Sequence, residues 1–273
     1  MKYFSWVCSI FCVVCQIGTA ATQVSTKQRE TLPANQFTIC DGADERQPSE
    51  FVLFPRILKS RLGEKACSAT LIANSCIVTA GHCWRSGYGK IVEFNTPASK
   101  DGELVHAAPE DVYEMDRRFI KYKNLGAGND WAVFRVRPNA ITGLTPEEAQ
   151  GGYVEVELDG FANTEEVRIV GYGTDSEGDR NFAQQVSFGP VVSTSGKNSI
   201  LMYRSDTTGG NSGSGVVDFA TNRLIGVHTH GGCDESRSSH NSGTSLLENK
   251  AFLRAVRACI GLRTRRQNQS IAK

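Results

Sequence analysis

Between about residues 40 and 260 the chain alternates short apolar runs with clusters of glycine, asparagine and aspartate. The runs fall at residues 68–72, 77–79, 131–136, 153–158, 167–171 and 224–227. Runs of this length, rich in Val, Ile and aromatic residues and bounded by turn formers, predict strands of a sandwich or barrel. One helix is expected near the end. Ser245-Leu246-Leu247-Glu248 has the spacing of a capping box, Leu253, Val256 and Ile260 recur at helical spacing, and Gly261 is placed to close the last turn. Neither an internal repeat nor a low-complexity tract breaks the pattern.

The two ends read differently. Met1-Lys2 is followed by a mostly apolar stretch, residues 3–17, and then by Gly18-Thr19-Ala20-Ala21. A basic start, an apolar middle and a small-residue exit predict a secretory signal peptide over residues 1–20. A membrane anchor is the alternative, because with its flanks the stretch approaches the ~20 residues that span a bilayer; it lacks a flanking basic stop. Residues 21–39 are polar and read as an N-terminal arm or propeptide, residues 40–262 as the folded domain, and residues 263–273, with Arg263, Arg265, Arg266 and Lys273, as a solvated basic tail carrying the sequon Asn268-Gln269-Ser270. After removal of the signal no membrane span is expected.

Composition sharpens this picture in two ways. The 273 residues hold 30 Lys plus Arg against 29 Asp plus Glu, a net charge of +1, so a nucleic-acid partner held through phosphates is not expected. Of nine cysteines, Cys8, Cys12 and Cys15 leave with the signal. The remaining Cys40, Cys67, Cys76, Cys83, Cys233 and Cys259 are even in number, which in a secreted chain suggests three disulfides. The expected localisation is extracellular.

Three segments carry candidate chemistry: Ile77-Val78-Thr79-Ala80-Gly81-His82-Cys83, Asn129-Asp130-Trp131-Ala132-Val133-Phe134 and Gly209-Gly210-Asn211-Ser212-Gly213-Ser214-Gly215. They present a histidine, an aspartate and a serine in that order. A serine hydroxyl is a poor nucleophile at neutral pH unless an imidazole takes its proton, and a carboxylate on the other ring nitrogen fixes the tautomer and stabilises the imidazolium. Glycines around Ser212 let the backbone turn tightly, so that the N–H groups of Gly210 and Ser212 can meet at one developing oxyanion.

In these segments the chain resembles the chymotrypsin-like serine peptidases, whose order His, Asp, Ser differs from that of subtilisins and α/β-hydrolases. The resemblance implies an all-β fold of two packed antiparallel six-stranded barrels, with the catalytic residues at the seam and a C-terminal helix outside. It implies His82, Asp130 and Ser212 as catalytic residues and Gly210 with Ser212 as the oxyanion hole. The 16-residue interval from Cys67 to Cys83 matches the family's disulfide around the catalytic histidine. The other four cysteines allow three pairings by sequence alone; the resemblance favours Cys76 with Cys259, which leaves Cys40 with Cys233. Asn211 stands where zymogen-activated members carry an aspartate for a freed terminal amine, so activation through that salt bridge is not expected.

The string from Thr207 to Ser214 is similar to that of glutamyl endopeptidases. There a histidine and an upstream hydroxyl hold the substrate carboxylate, and His228 and Thr207 occupy the matching positions. Thr229, His230 and Gly231 are the residues expected to run beside the substrate backbone. Asp206, six residues before Ser212, conflicts with this, because that spacing carries the Arg- and Lys-binding aspartate of trypsin-like members. The expectation is therefore a serine endopeptidase with Glu or Asp preference, with Arg or Lys specificity as the alternative. A catalytically inactive two-barrel binding protein and a secreted esterase are the readings from other classes. His228, His230, Cys233 and His240 also have a spacing that could suggest a metal, but Cys233 is expected to be oxidised, so no metal and no cofactor are expected. The expected partners are protein or peptide substrates, acted on by a monomer.

Overall fold

The computed structural model describes residues 38–160 and 164–261. The predicted signal peptide, the arm up to residue 37, the basic tail and its sequon lie outside the described residues. A two-residue strand β1 (Gln47–Pro48) precedes the first barrel. That barrel is built from β2 (Arg56–Leu58), β3 (Cys67–Ser68), β4 (Thr70–Ala73), β5 (Cys76–Thr79), β6 (Ile91–Glu93), β7 (Val112–Asn124) and β8 (Asp130–Val136). These pair antiparallel in the order β3-β2-β6-β7-β8-β5-β4. Only Ala69 separates β3 from β4, so they act as one bent strand and the sheet closes as six.

The second barrel holds β9 (Glu166–Gly171), β10 (Gln185–Gly196), β11 (Ile200–Tyr203), β12 (Gly215–Asp218), β13 (Leu224–His230) and β14 (Asn241–Ser245). Its order, β10-β11-β14-β13-β12-β9, returns on itself through a β10–β9 pairing, and β1 adds to β10. The two six-stranded barrels are the architecture that the strand pattern and the family resemblance imply. Closure removes the unpaired edges that an open sheet would expose. Each barrel fills its interior with the inward residues of its strands: Ile57, Leu71, Ile77, Val92, Phe94 and Phe134 in the first, and Val167, Ile169, Leu201, Val216 and Ile225 in the second. A third cluster joins them, where Ile72, Val78, Val133, Val170, Val217 and Val227 meet the helix at the C-terminus.

Three helices are short: α1 (Gly81–Arg85), α2 (Pro146–Gln150) and α3 (Lys250–Cys259). The capping box expected at Ser245 is not the start of α3. Ser245 ends β14 fully buried, and the cap is Asn249, whose side chain accepts from the N–H groups of Ala251 at 3.2 Å and Phe252 at 3.0 Å. Asparagine caps as well as serine does, and the buried stripe of Phe252, Ala255, Val256 and Cys259 begins only after it. Trp131 stacks on Phe252 with ring centroids 5.3 Å apart, which seats α3 on β8.

Other expectations shift as well. Residues 153–158 do not form a strand; the stretch makes one isolated bridge, Val156 with Leu224, and otherwise runs as a connection. The thirteen-residue β7 was hidden, because Asp116, Arg117, Arg118, Lys121 and Lys123 give it no apolar alternation. The three disulfides are Cys40–Cys233, Cys67–Cys83 and Cys76–Cys259, which tie the segment before β1 to the loop after β13, β3 to α1, and β5 to α3. Among the described residues no helix is long and apolar enough to cross a membrane.

Candidate active site

The fold delivers His82 on α1, directly after β5, and Asp130 as the first residue of β8, directly after the turn of the β7–β8 hairpin. Both carboxylate oxygens of Asp130 are committed to this one histidine. Oδ1 accepts from the His82 backbone N–H at 2.8 Å and Oδ2 lies 2.6 Å from His82 Nδ1. An ionised carboxylate only accepts, so Nδ1 carries the hydrogen and Nε2 is left as the free base. Asp130 is 1% exposed, whereas the His82 side chain is about a third exposed, so the base faces outward from a buried anchor. The second barrel fixes that anchor: Thr244 Oγ1 donates to Asp130 O at 2.8 Å and accepts from Asp130 N at 3.2 Å.

Ser212 lies in the turn between β11 and β12. Its carbonyl accepts from Ser68 N at 2.9 Å and lies 3.5 Å from Cys83 Sγ, beside His82. The next residue donates from Gly213 N to His228 O at 2.9 Å. These contacts bring the serine, α1 and β13 together across the seam. Two glycines are required by the geometry. Gly210 has φ +106°, and a Cβ there would overlap Tyr172 O; Gly213 has φ +92°, and a Cβ there would overlap Thr79 Oγ1 and Ser68 O. Ser68 Oγ donates to Gly210 O at 2.9 Å and so aims that peptide. Among the hydrogen bonds of the described residues none uses the N–H of Gly210 or Ser212, and none joins Ser212 to His82 through side chains. Such catalytic contacts commonly tighten only with substrate bound.

The remaining candidate residues surround this turn. His228 is buried on β13, and its Nδ1 lies 2.6 Å from Tyr203 Oη. Burial, followed by the nearby His230 and His82, pushes its pKa from 6.5 down to about 3, so the ring is neutral. Burial also raises Tyr203 well above its usual value, so its hydroxyl stays a donor. The tyrosine then donates to Nδ1, and the His228 hydrogen sits on Nε2. Thr207 is buried, and its hydroxyl has no partner among the described residues. A register shift in the β13–β14 pairing falls between His228 and His230, at Thr229. His230 sets its ring 6.2 Å from that of His82 and its Nδ1 2.8 Å from Thr229 Oγ1, and burial lowers its pKa. Gly231 is exposed just past the strand end.

Asp206 faces elsewhere. Its two oxygens accept from Cys40 N at 2.7 Å and Glu45 N at 2.8 Å, so it is tied to the segment before β1 and is not paired with His228. Burial raises it from 3.8 to about 6, against the two backbone donors, with Asp44 and Glu45 adding to the rise. Cys233, taken up in a disulfide, is unavailable to the metal spacing considered above. No cluster of three or more His, Cys, Asp or Glu suited to a metal occurs among the described residues.

A model of the trypsin-like peptidase domain matches residues 67–227. The chain belongs to the trypsin-like peptidase family. It is a serine-type endopeptidase, and its substrates are proteins or peptides. Solved structures with the same fold include a Glu endopeptidase in complex with MPD, at 22% identity and a TM-score of 0.60, covering 82% of this chain and all of that one. A thermostable serine protease, AL20, from an extremophilic microorganism is similar at 13% identity and 0.60, covering 79% of this chain and all of that one. The protease Anisep of Arthrobacter nicotinovorans is similar at 17% identity and 0.59, covering 79% and 99%. No curated protein matches this peptidase.

Several residues of the site were not legible from sequence. Tyr203, Thr244, Ser68 and Arg46 act through partners from 25 to 162 positions away. Nothing in their local spacing signals it. The Tyr203 side chain lies in the interior of the second barrel, and nothing in the sequence around it distinguishes it from an ordinary core aromatic.

Proposed function

We propose that Ser212 is the nucleophile of this endopeptidase, His82 its general base and acid, and Asp130 the carboxylate that orients His82. The Gly210 and Ser212 N–H groups form the oxyanion hole. Ser212 Oγ attacks the scissile carbonyl as its proton passes to His82 Nε2, and the tetrahedral oxyanion is held by the two N–H groups. His82 then gives that proton to the leaving amine, and water, activated by the same nitrogen, resolves the acyl-enzyme. The observation that carries this reading is the double hydrogen bond of buried Asp130 to His82 beside a glycine-framed serine. The three disulfides support work in an oxidising, extracellular setting.

We further propose cleavage after Glu or Asp. The similarity to a Glu endopeptidase supports the fold and no more, so specificity is argued from the pocket. His228, held neutral by burial and fixed by Tyr203, offers an Nε2–H donor, and the unpartnered Thr207 hydroxyl offers a second. A substrate carboxylate arriving there would satisfy the orphaned hydroxyl and raise the proton affinity of the imidazole. Asp206, the residue that would favour Arg or Lys, already accepts two backbone N–H groups.

The test is a cleavage-site profile on a mixed peptide library with the mature protein and with Ser212→Ala. Cuts after Glu or Asp that vanish in the variant are expected. Cuts after Arg or Lys would return the pocket to Asp206. Wild-type turnover by Ser212→Ala, or cleavage by neither protein, would overturn the catalytic assignment.

A further inference from the structure

The segment before β1 reaches the nucleophile turn through one buried cation. Arg46 is 4% exposed, on the residue immediately preceding β1. Asp44 grips it from two residues away: Nε lies 2.9 Å from Oδ1 and Nη2 lies 2.6 Å from Oδ2. Asp175 stands 3.5 Å from Nη2. The fork projects onward, with Nη1 donating to Thr208 Oγ1 at 2.7 Å and Nη2 to Thr174 O at 3.1 Å. Thr208 is four residues before Ser212 and is the hinge of its turn. Its N–H donates to Asn211 Oδ1 at 3.0 Å, its carbonyl accepts from Asn211 N at 3.0 Å, and its hydroxyl donates to Thr174 O at 2.8 Å. Thr174 N in turn donates to Gly209 O at 2.7 Å. The packing leaves no slack: a Cβ on Gly173 would overlap Asn211 Oδ1, Thr208 Oγ1 and Arg46 Nη1 together.

A buried ion pair is weak evidence of added stability, because desolvation offsets most of the attraction. What the Arg46 fork supplies is direction, since a planar guanidinium fixes two acceptors at set angles. The acceptors here belong to the loops that follow β9 and β11, which meet through Thr174, Thr208 and Gly209 at the start of the Ser212 turn. We propose that Arg46 is a positioning residue for the oxyanion-hole turn: acting through Thr208, it holds the Gly210 and Ser212 N–H groups in the orientation that the tetrahedral intermediate needs. The proposal rests on the catalytic assignment above. Arg46 lies inside the chain, so this support requires no free terminal amine, and Asn211, which cannot form a salt bridge with one, serves instead as the partner of the Thr208 backbone.

The experiment measures kcat and KM on one peptide substrate for wild type, Arg46→Ala and Thr208→Val, with thermal unfolding to show that each is folded. A misaimed oxyanion hole weakens an interaction made in the transition state, so Arg46→Ala is expected to lose kcat at least about tenfold with KM within about threefold. Millimolar guanidinium is expected to restore part of the kcat of Arg46→Ala and none of that of Thr208→Val, a rescue that a purely structural role would not give. Wild-type kcat in folded Arg46→Ala, or a loss confined to KM, overturns the proposal. If Arg46→Ala does not fold, Thr208→Val decides, because it leaves Arg46 paired with Asp44 and removes the hydroxyl through which the fork reaches the turn, together with that hydroxyl's own bond to Thr174 O: a fall in kcat is expected, and wild-type kcat overturns the proposal. Failure of the catalytic assignment shows separately, as activity surviving in Ser212→Ala.

Discussion

His228 and Asp206 are two buried titratable side chains around the Ser212 turn, and burial moves their protons in opposite senses. For His228 the folded pKa of about 3 lies below the ordinary 6.5, so the stability it contributes is present above 6.5 and is lost as pH falls toward 3. For Asp206 the folded value of about 6 lies above the ordinary 3.8, so its contribution is present below 3.8 and is lost as pH rises through 6. Between roughly pH 4 and 6 the two slopes cancel. Replacing Asp206 by Asn removes one of them. The variant should therefore gain on the wild type as pH rises from 4 to 7, by up to about 3 kcal/mol for a shift of this size. Urea unfolding of both proteins at the two pH values measures this; a difference that does not change with pH would show that Asp206 is ionised as readily in the folded chain as in the unfolded one.

At the scale of elements, the C-terminal helix and the β7–β8 hairpin that presents Asp130 share one residue. Asn249 caps α3 through its side-chain oxygen, while its Nδ2 donates to Gly128 O at 2.7 Å and lies 3.2 Å from Asn129 Oδ1, in the turn that leads to Asp130. Asn249→Ala removes a cap worth ~1 kcal/mol and leaves a buried carbonyl without its donor, so a loss of about 2 kcal/mol is expected. Chemical denaturation reads it directly, and a stability within a few tenths of wild type would mean that Cys76–Cys259 alone seats the helix. The cap also illustrates what could be read from the chain and what could not. The apolar positions of α3 and the runs behind β4, β5, β8, β9 and β13 were plain, because each element buries a local, periodic face. The start of α3 was misplaced by a competing serine with the right spacing, and β7 was invisible because its run of charged residues, most of them on the outside of the barrel, breaks any apolar alternation. The segments around His82, Asp130 and Ser212 were legible because the turns that present them demand particular residues at short range. Tyr203 and Arg46 were not, since their partners are fixed only by closure of the second barrel and by the return of the N-terminal segment.

Taken as a whole molecule, two barrels each supply part of one site. The first presents His82 and Asp130, the second presents Ser212 and His228, and Thr244 crosses from the second to hold Asp130. Disulfides tie α1, α3 and the segment before β1 to the strands and loop they adjoin, and a chain so closed has fewer unfolded conformations to lose, worth roughly 2 to 4 kcal/mol for each bridge. An endopeptidase benefits from such closure, because local opening exposes it to its own cleavage. The central claim is that this shared seam activates Ser212. Reaction with an alkyl fluorophosphonate tests it most directly: the Ser212 oxygen would displace fluoride from phosphorus while His82 takes the serine proton. Intact-mass and peptide-map analysis should show one phosphonyl group, on Ser212, absent from Ser212→Ala and formed at least about a hundredfold more slowly in His82→Ala. Labelling at another residue, or at Ser212 with equal speed in His82→Ala, would contradict the account.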